Sequence, residues 1–115
     1  MNTSDEELPI EIDVKAVKAM LDTGEECLLV DCREQDEWDF VHIEQAKHLP
    51  MGETLTRVGE LESHRDRRIV VHCHHGGRSL QVVQWLRGQG YGKSQNMTGG
   101  IDAWSCDVDP SLPRY

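Results

Sequence analysis

The segment Cys73-His74-His75-Gly76-Gly77-Arg78-Ser79 holds the residue types best suited to chemistry. It opens on a thiol, turns through two adjacent glycines and closes on a guanidinium and a hydroxyl. Two glycines in a row let the backbone reach φ > 0 without steric cost. Successive amide N–H groups in such a turn can point at one spot and form an anion cradle. A free cysteine is only about 3% ionised at neutral pH. Ionising most of Cys73 there takes ~2.7 kcal/mol of preferential stabilisation of the thiolate. A helix start supplies about 0.3–1 kcal/mol, and up to ~2 in a partly buried geometry. Amide hydrogen bonds and Arg78 are expected to supply the rest. The chemistry implied is nucleophilic attack by sulfur through a covalent intermediate.

Other readings of the same residues are weaker. A cysteine after a buried strand is often a small core residue, but the Gly76-Gly77-Arg78 turn sets Cys73 apart. His72, His74 and His75 crowd around Cys73 and invite a metal reading. Neighbouring histidines on one loop lack the spacing that closes a tetrahedral site, so no metal is expected. Cys32 falls inside a strand and reads as a packing residue, with a resolving thiol as the open alternative. Cys27 and Cys106 read as structural or incidental. Asp31 and Arg33 read as a folding ion pair, and Trp38, Trp85 and Trp104 as packing residues. Ser79 either caps the following helix or bonds to the sulfur.

Elements that would position this loop can be read on both sides of it. Arg68-Ile69-Val70-Val71-His72 is the clearest strand. Leu80, Val83 and Leu86, with Val82 beside them, mark the clearest helix. Cys27 to Cys32 is a nearly continuous apolar run, as expected of a strand covered on both faces. Leu8 to Ile12, Ala46 to Leu49 and Gln95 to Met97 are weaker strands. Asp13 is expected to cap a helix through Val14, Val17, Met20 and Leu21, with Gly24 as its stop. Glu34 to Phe40 forms a helical turn or two. Met51, Leu55, Val58 and Leu61 mark one face of a third helix, and Ile101 to Trp104 open a last one. Residues 109–113 read as an extended tail. Five strands alternating with about five helices predict an α/β fold with a mostly parallel sheet covered on both faces. Ligands in such folds sit beyond the carboxyl ends of the strands, which points at the segments after His72 and after Asp31.

Length and charge narrow the classes further. The 115 residues suit one domain, read as residues 8–115 behind a polar tail at residues 1–7. The net charge of −9 argues against a nucleic-acid partner. No apolar run is long enough for a membrane span, and the acidic start is unlike a signal peptide. A cytoplasmic location with reduced thiols is the expectation.

Several blocks, in order, resemble the rhodanese family. Leu28-Leu29-Val30-Asp31-Cys32-Arg33-Glu34 is similar to its L-L-D-V-R-E type segment. Val41-His42-Ile43-Glu44-Gln45-Ala46 resembles its G-H-I-x-G-A, with Val41 and Gln45 in place of glycines, and Leu49-Pro50 its I-P. Cys73 to Ser79 matches C-x-x-G-x-R-S, and Gly99-Gly100-Ile101-Asp102-Ala103-Trp104 matches G-G-x-x-A-W. The resemblance implies a five-stranded rhodanese-like fold and sulfur transfer without metal or organic cofactor. Cys73 would take the sulfane sulfur of a donor such as thiosulfate and pass it, as a persulfide, to cyanide, a thiol or a protein. His74, His75, Gly76, Gly77, Arg78 and Ser79 would form the substrate-binding loop. Asp31 and Arg33 would support it, with Arg78 pairing with Asp31 or a glutamate. The alternative is a sulfur-relay or interaction module with little turnover. Relatives that bind phosphate or arsenate have a loop one residue longer, so a phosphatase or arsenate reductase fits this six-residue loop poorly.

Overall fold

The computed structural model describes residues 8–115, and the expected tail at residues 1–7 lies outside them. In chain order the elements are β1 (Glu11–Ile12), α1 (Val14–Thr23), β2 (Cys27–Asp31), α2 (Gln35–Phe40), β3 (Lys47–His48), α3 (Thr54–Arg57), β4 (Arg68–His72), α4 (Gly77–Gly88), β5 (Ser94–Met97) and α5 (Gly100–Asp107). The strands form one sheet in the order β1-β5-β4-β2-β3, and every pairing is parallel. The α/β class and the mostly parallel sheet expected from the sequence are therefore present.

The apolar strands are buried because both faces of the sheet are covered. Val30, Ile69 and Val71 point to a core shared with Leu61, Val82, Val83 and Leu86. Leu29 and Val70 point the other way, to Val14, Val17, Ile101 and Trp104. Helix α1 starts where Asp13 places it, with the Asp13 carboxylate accepting from the Ala16 N–H at 2.8 Å. It stops at Gly24, whose φ of 73° closes the end in the left-handed conformation.

Two expectations change. The third helix is not continuous: a 3₁₀ turn at Met51–Glu53 leads into α3, and a second 3₁₀ stretch runs from Val58 to His64. Three-residue turns rotate the apolar stripe away from its α-helical phase. Leu61 stays buried while Leu55 is 71% exposed. Strand β5 consists of Ser94, Gln95, Asn96 and Met97, all buried. It is an inner strand, paired on both sides, although its composition disfavours a strand.

Asp31 and Arg33, at the end of β2, are both fully buried. Arg33 Nη2 lies 2.6 Å from Asp31 Oδ2, and Nε lies 2.9 Å from Oδ1. The same guanidinium donates to the Val41 carbonyl at 2.6 Å and to the Tyr115 hydroxyl at 2.8 Å. The pair therefore fastens the end of β2 to the far end of α2 and to the C-terminal segment. Burial alone would raise the Asp31 carboxyl's pKa, but the Arg33 hydrogen bonds outweigh it and hold the group below its usual value. Its contribution to stability is present above the ordinary aspartate range and fades as pH falls through the lowered native value. Arg33→Met leaves a buried carboxylate without its partner, and a loss of about 3–5 kcal/mol is expected in denaturant titrations at neutral pH. The gap between variant and wild type should narrow on acidification as Asp31 takes up its proton.

Candidate functional site

Cys73 is the first residue past β4, and Gly77 opens α4, so strand and helix meet across only four residues. Gly76 makes the turn with a φ of 112°. Its N–H then points back at Cys73 Sγ, 3.1 Å away. The Ser79 N–H reaches the same sulfur at 3.4 Å, and the Ser79 hydroxyl stands 3.4 Å from it. Cys32, at the neighbouring strand end, lies in the same buried cluster as Cys73. Gly76 carries the cap position without a side-chain bond. Ser79 therefore does not cap α4. It sits in the first turn, where its one hydroxyl hydrogen serves either the sulfur or the nearer Asn96 Oδ1.

The Cys73 thiol is driven down to about 4. The Cys32 hydrogen bond acts most strongly. Burial opposes it, and the Ser79 hydroxyl and N–H and the Gly76 N–H add to it. The start of α4 contributes its positive end along the same direction. Cys73 is 1% exposed, so the sulfur is enclosed by the groups that donate to it. Of the loop residues beside it, His75 and Gly77 are exposed and His74 and Arg78 half-buried.

The loop is fastened from three sides. Helix α5 starts directly beneath it, with the Ile101 N–H on the Cys73 carbonyl at 2.9 Å and the Asp102 N–H on the His74 carbonyl at 3.1 Å. A Cβ on Gly100 would strike both of those carbonyls, which is why a glycine pair opens this helix. From β5, Asn96 Nδ2 donates to the Gly76 carbonyl at 3.1 Å and to Glu11 at 3.0 Å. From α2, Glu37 takes Arg78 as a bidentate partner at 2.8 and 3.0 Å. Glu37 is thereby held at about 2, with the Arg78 hydrogen bond as the main cause. Arg78 thus pairs with a glutamate rather than with Asp31, which belongs to Arg33.

Three residues that motif reading overlooked complete the site: Glu37, Asn96 and Tyr115. Glu37 looks like any exposed helical acid in sequence, and Asn96 makes its strand look poor. Tyr115 lies beyond every motif, yet its hydroxyl donates to Glu37 at 2.8 Å and its ring stacks on His74 with centroids 3.9 Å apart. Only the capping-box relation between Glu34 and Glu37 marks Glu37 out in advance. The His74 and His75 rings lean on each other, while the fully buried His72 faces Asp31 Oδ2 at 3.8 Å. Among the described residues, no three His, Cys, Asp or Glu side chains are placed to hold a metal ion, and no helix is long and apolar enough to cross a membrane.

A thiolate enclosed in this way should be visible directly. The ultraviolet absorbance of the thiolate, taken as wild type minus Cys73→Ser, is expected to appear with a midpoint near pH 4. The midpoint should move upward in Ser79→Ala, which removes one of the donors. A midpoint in the ordinary thiol range would contradict the cradle.

Known proteins resemble this chain in sequence and in fold. A sulfurtransferase of Allochromatium vinosum is 39% identical over 95 residues, covering 83% of this chain and 87% of that protein. The chloroplastic rhodanese-like/PpiC domain-containing protein 12 of Arabidopsis thaliana is 38% identical over 93 residues. That match covers 79% of this chain but only 31% of the plant protein. The chain likewise spans 26% of the mycobacterial adenylyltransferase/sulfurtransferase relative MoeZ. Among solved structures, the thiosulfate sulfurtransferase of Pseudomonas aeruginosa superposes with a TM-score of 0.78 at 26% identity, over 90% of this chain and 20% of that one. Residues 13–107 match the model of the rhodanese-like domain, and the chain belongs to the rhodanese family.

Proposed function

We propose that this protein is a sulfurtransferase that carries sulfane sulfur on Cys73, with thiosulfate as a competent donor. The observation that carries the reading is the convergence of the Gly76 and Ser79 amides and the Ser79 hydroxyl on one buried sulfur, with Cys32 in the same cluster. The sulfurtransferase names of its relatives support the same class of reaction.

In the first half-reaction the Cys73 thiolate attacks the outer sulfur of thiosulfate. A new S–S bond forms to Cys73, the old S–S bond breaks, and sulfite leaves with the electron pair. Cys73 then bears a persulfide with its charge on the terminal sulfur. Fixed amide donors near that charge act as an oxyanion hole acts for oxygen. In the second half-reaction a nucleophile such as cyanide, a thiol or a protein thiol takes the terminal sulfur, and the Cys73 thiolate returns. The low pKa of Cys73 serves both halves, because it keeps the attacker ionised and makes it a good leaving group.

The remaining site residues act through position. Arg78 holds the first turn of α4 against Glu37, and Asp31 with Arg33 holds the end of β2. His74 and His75 flank the loop on its outer side, where a dianionic donor would approach. Because Cys73 is 1% exposed, the loop must open for the donor to reach it. A cytoplasmic location and a protein acceptor fit the reading. The short loop, with Arg78 in a bidentate ion pair, leaves no guanidinium free for a phosphate, which disfavours phosphatase chemistry.

Intact mass spectrometry after thiosulfate treatment tests the reaction and the residue together. One added sulfur is expected on wild type, removed by cyanide and absent in Cys73→Ser. Wild type that stays unchanged in mass, or Cys73→Ser that gains the sulfur, would refute the reading. Aryl phosphate hydrolysis is expected to stay at background.

A further inference from the structure

Cys32 and Cys73 are next-door neighbours by register. The last paired residues of β2 and β4 are Asp31 and His72. The Cys32 N–H continues the ladder by donating to the His72 carbonyl at 3.0 Å. One residue further, Cys32 and Cys73 stand side by side on adjacent parallel strands. Both turn to the same face of the sheet, in one cluster with Val30, Val71 and Leu49. Adjacent strands lie about 4.8 Å apart, inside the range of roughly 4.4–6.8 Å that a disulfide spans between Cα atoms. Both thiols lie just past the last paired residues of the two strands.

We propose that Cys32 is a resolving thiol for the Cys73 persulfide, converting it to a Cys32–Cys73 disulfide with release of hydrosulfide. This rests on the sulfur-carrying role of Cys73. The Cys32 sulfur attacks Cys73 Sγ, and the bond from Sγ to the terminal sulfur breaks. The terminal sulfur leaves with the electron pair and takes the proton that Cys32 gives up. The Cys32 sulfur is oxidised from thiol to disulfide, Cys73 Sγ keeps the oxidation level it has in the persulfide, and the sulfane sulfur is reduced to hydrosulfide, so no outside oxidant enters. A thiol or dithiol reductant returns the pair to its starting state. The persulfide thus has two fates: transfer to an acceptor, or discharge when no acceptor arrives.

The resting state keeps this reaction off. While Cys73 is a thiolate, that neighbouring sulfur, together with burial, holds Cys32 strongly in the thiol form. Loading a sulfur onto Cys73 moves the negative charge one atom outward and relieves that hold on Cys32. The partner of the discharge is then released only after loading. Cys32 is fully buried, so it is shielded from solution thiols and donors and meets Cys73 alone.

The test uses thiosulfate-treated wild type beside Cys32→Val and Cys32→Ala, each withheld from acceptor and thiol-blocked at intervals. Wild type is expected to gain one sulfur and then pass to a species two hydrogens lighter than the untreated protein. One equivalent of hydrosulfide and a non-reducing peptide linking Cys32 to Cys73 should accompany that change. Both variants are expected to gain the sulfur, more slowly for want of the Cys32 donor, and to keep it without hydrosulfide release. Wild type that keeps its added sulfur as long as the variants do, or loses it without the linked peptide, would overturn the resolving role while leaving sulfur transfer intact. Failure of wild type and variants alike to gain sulfur would overturn sulfur transfer itself, and the resolving role with it.

Discussion

A negative charge on a sulfur shut away from water has to be met by donors that the protein itself fixes in place. Around Cys73 that requirement is met by two amides and one hydroxyl, with the Cys32 thiol in the same cluster. They come from three structural sources. The Gly76 amide depends on a left-handed turn, the Ser79 pair on the first turn of α4, and the Cys32 thiol on the parallel register of β2 with β4. Loss of any one element would leave the charge short of a partner and return the thiol toward its ordinary state.

The framework around the loop follows from that demand. Helix α5 places its first amides on the loop carbonyls, so the loop's own polar groups are satisfied while its N–H groups stay aimed at sulfur. Asn96 does the same for the Gly76 carbonyl and also engages the Ser79 hydroxyl. An inner strand as polar as β5 is tolerated because Asn96 holds the loop while the strand backbones pair on both sides. Two charged pairs, Asp31 with Arg33 and Glu37 with Arg78, bind opposite ends of α2 to the sheet and to α4. Their arginines are taken up by carboxylates, so the field at the sulfur comes mainly from short-range dipoles rather than from a free cation.

Much of this was readable along the chain. Strand β4 and the apolar face of α4 stand out from periodicity, and Asp13 and Gly24 mark the ends of α1 through capping chemistry. The rhodanese-like blocks located Cys73, the glycine turn, Asp31 and Arg33, and the Gly99-Gly100 opening of α5. The spacing of Met51, Leu55, Val58 and Leu61 predicts one helix, but apolar spacing does not distinguish an α-helix from the short 3₁₀ pieces found there, and Leu55 lies outside the core. Cys32 reads as packing, with a resolving thiol as the alternative, and it does lie in the core; its nearness to Cys73, forty-one residues away, is not visible along the chain.

By itself the sequence determined the local devices: a nucleophile at a strand end, glycines that permit the turn, and a helix that begins where the thiol needs a positive end. These are legible because they depend on residues close together in the chain. Tertiary structure alone decided which groups complete them. Glu37 for Arg78, Asn96 for Ser79, Tyr115 for Arg33 and Cys32 for Cys73 are meetings set by strand order and helix packing. Hydrogen bonds act over about 3 Å, and no local pattern tells which distant side chain will arrive within that reach.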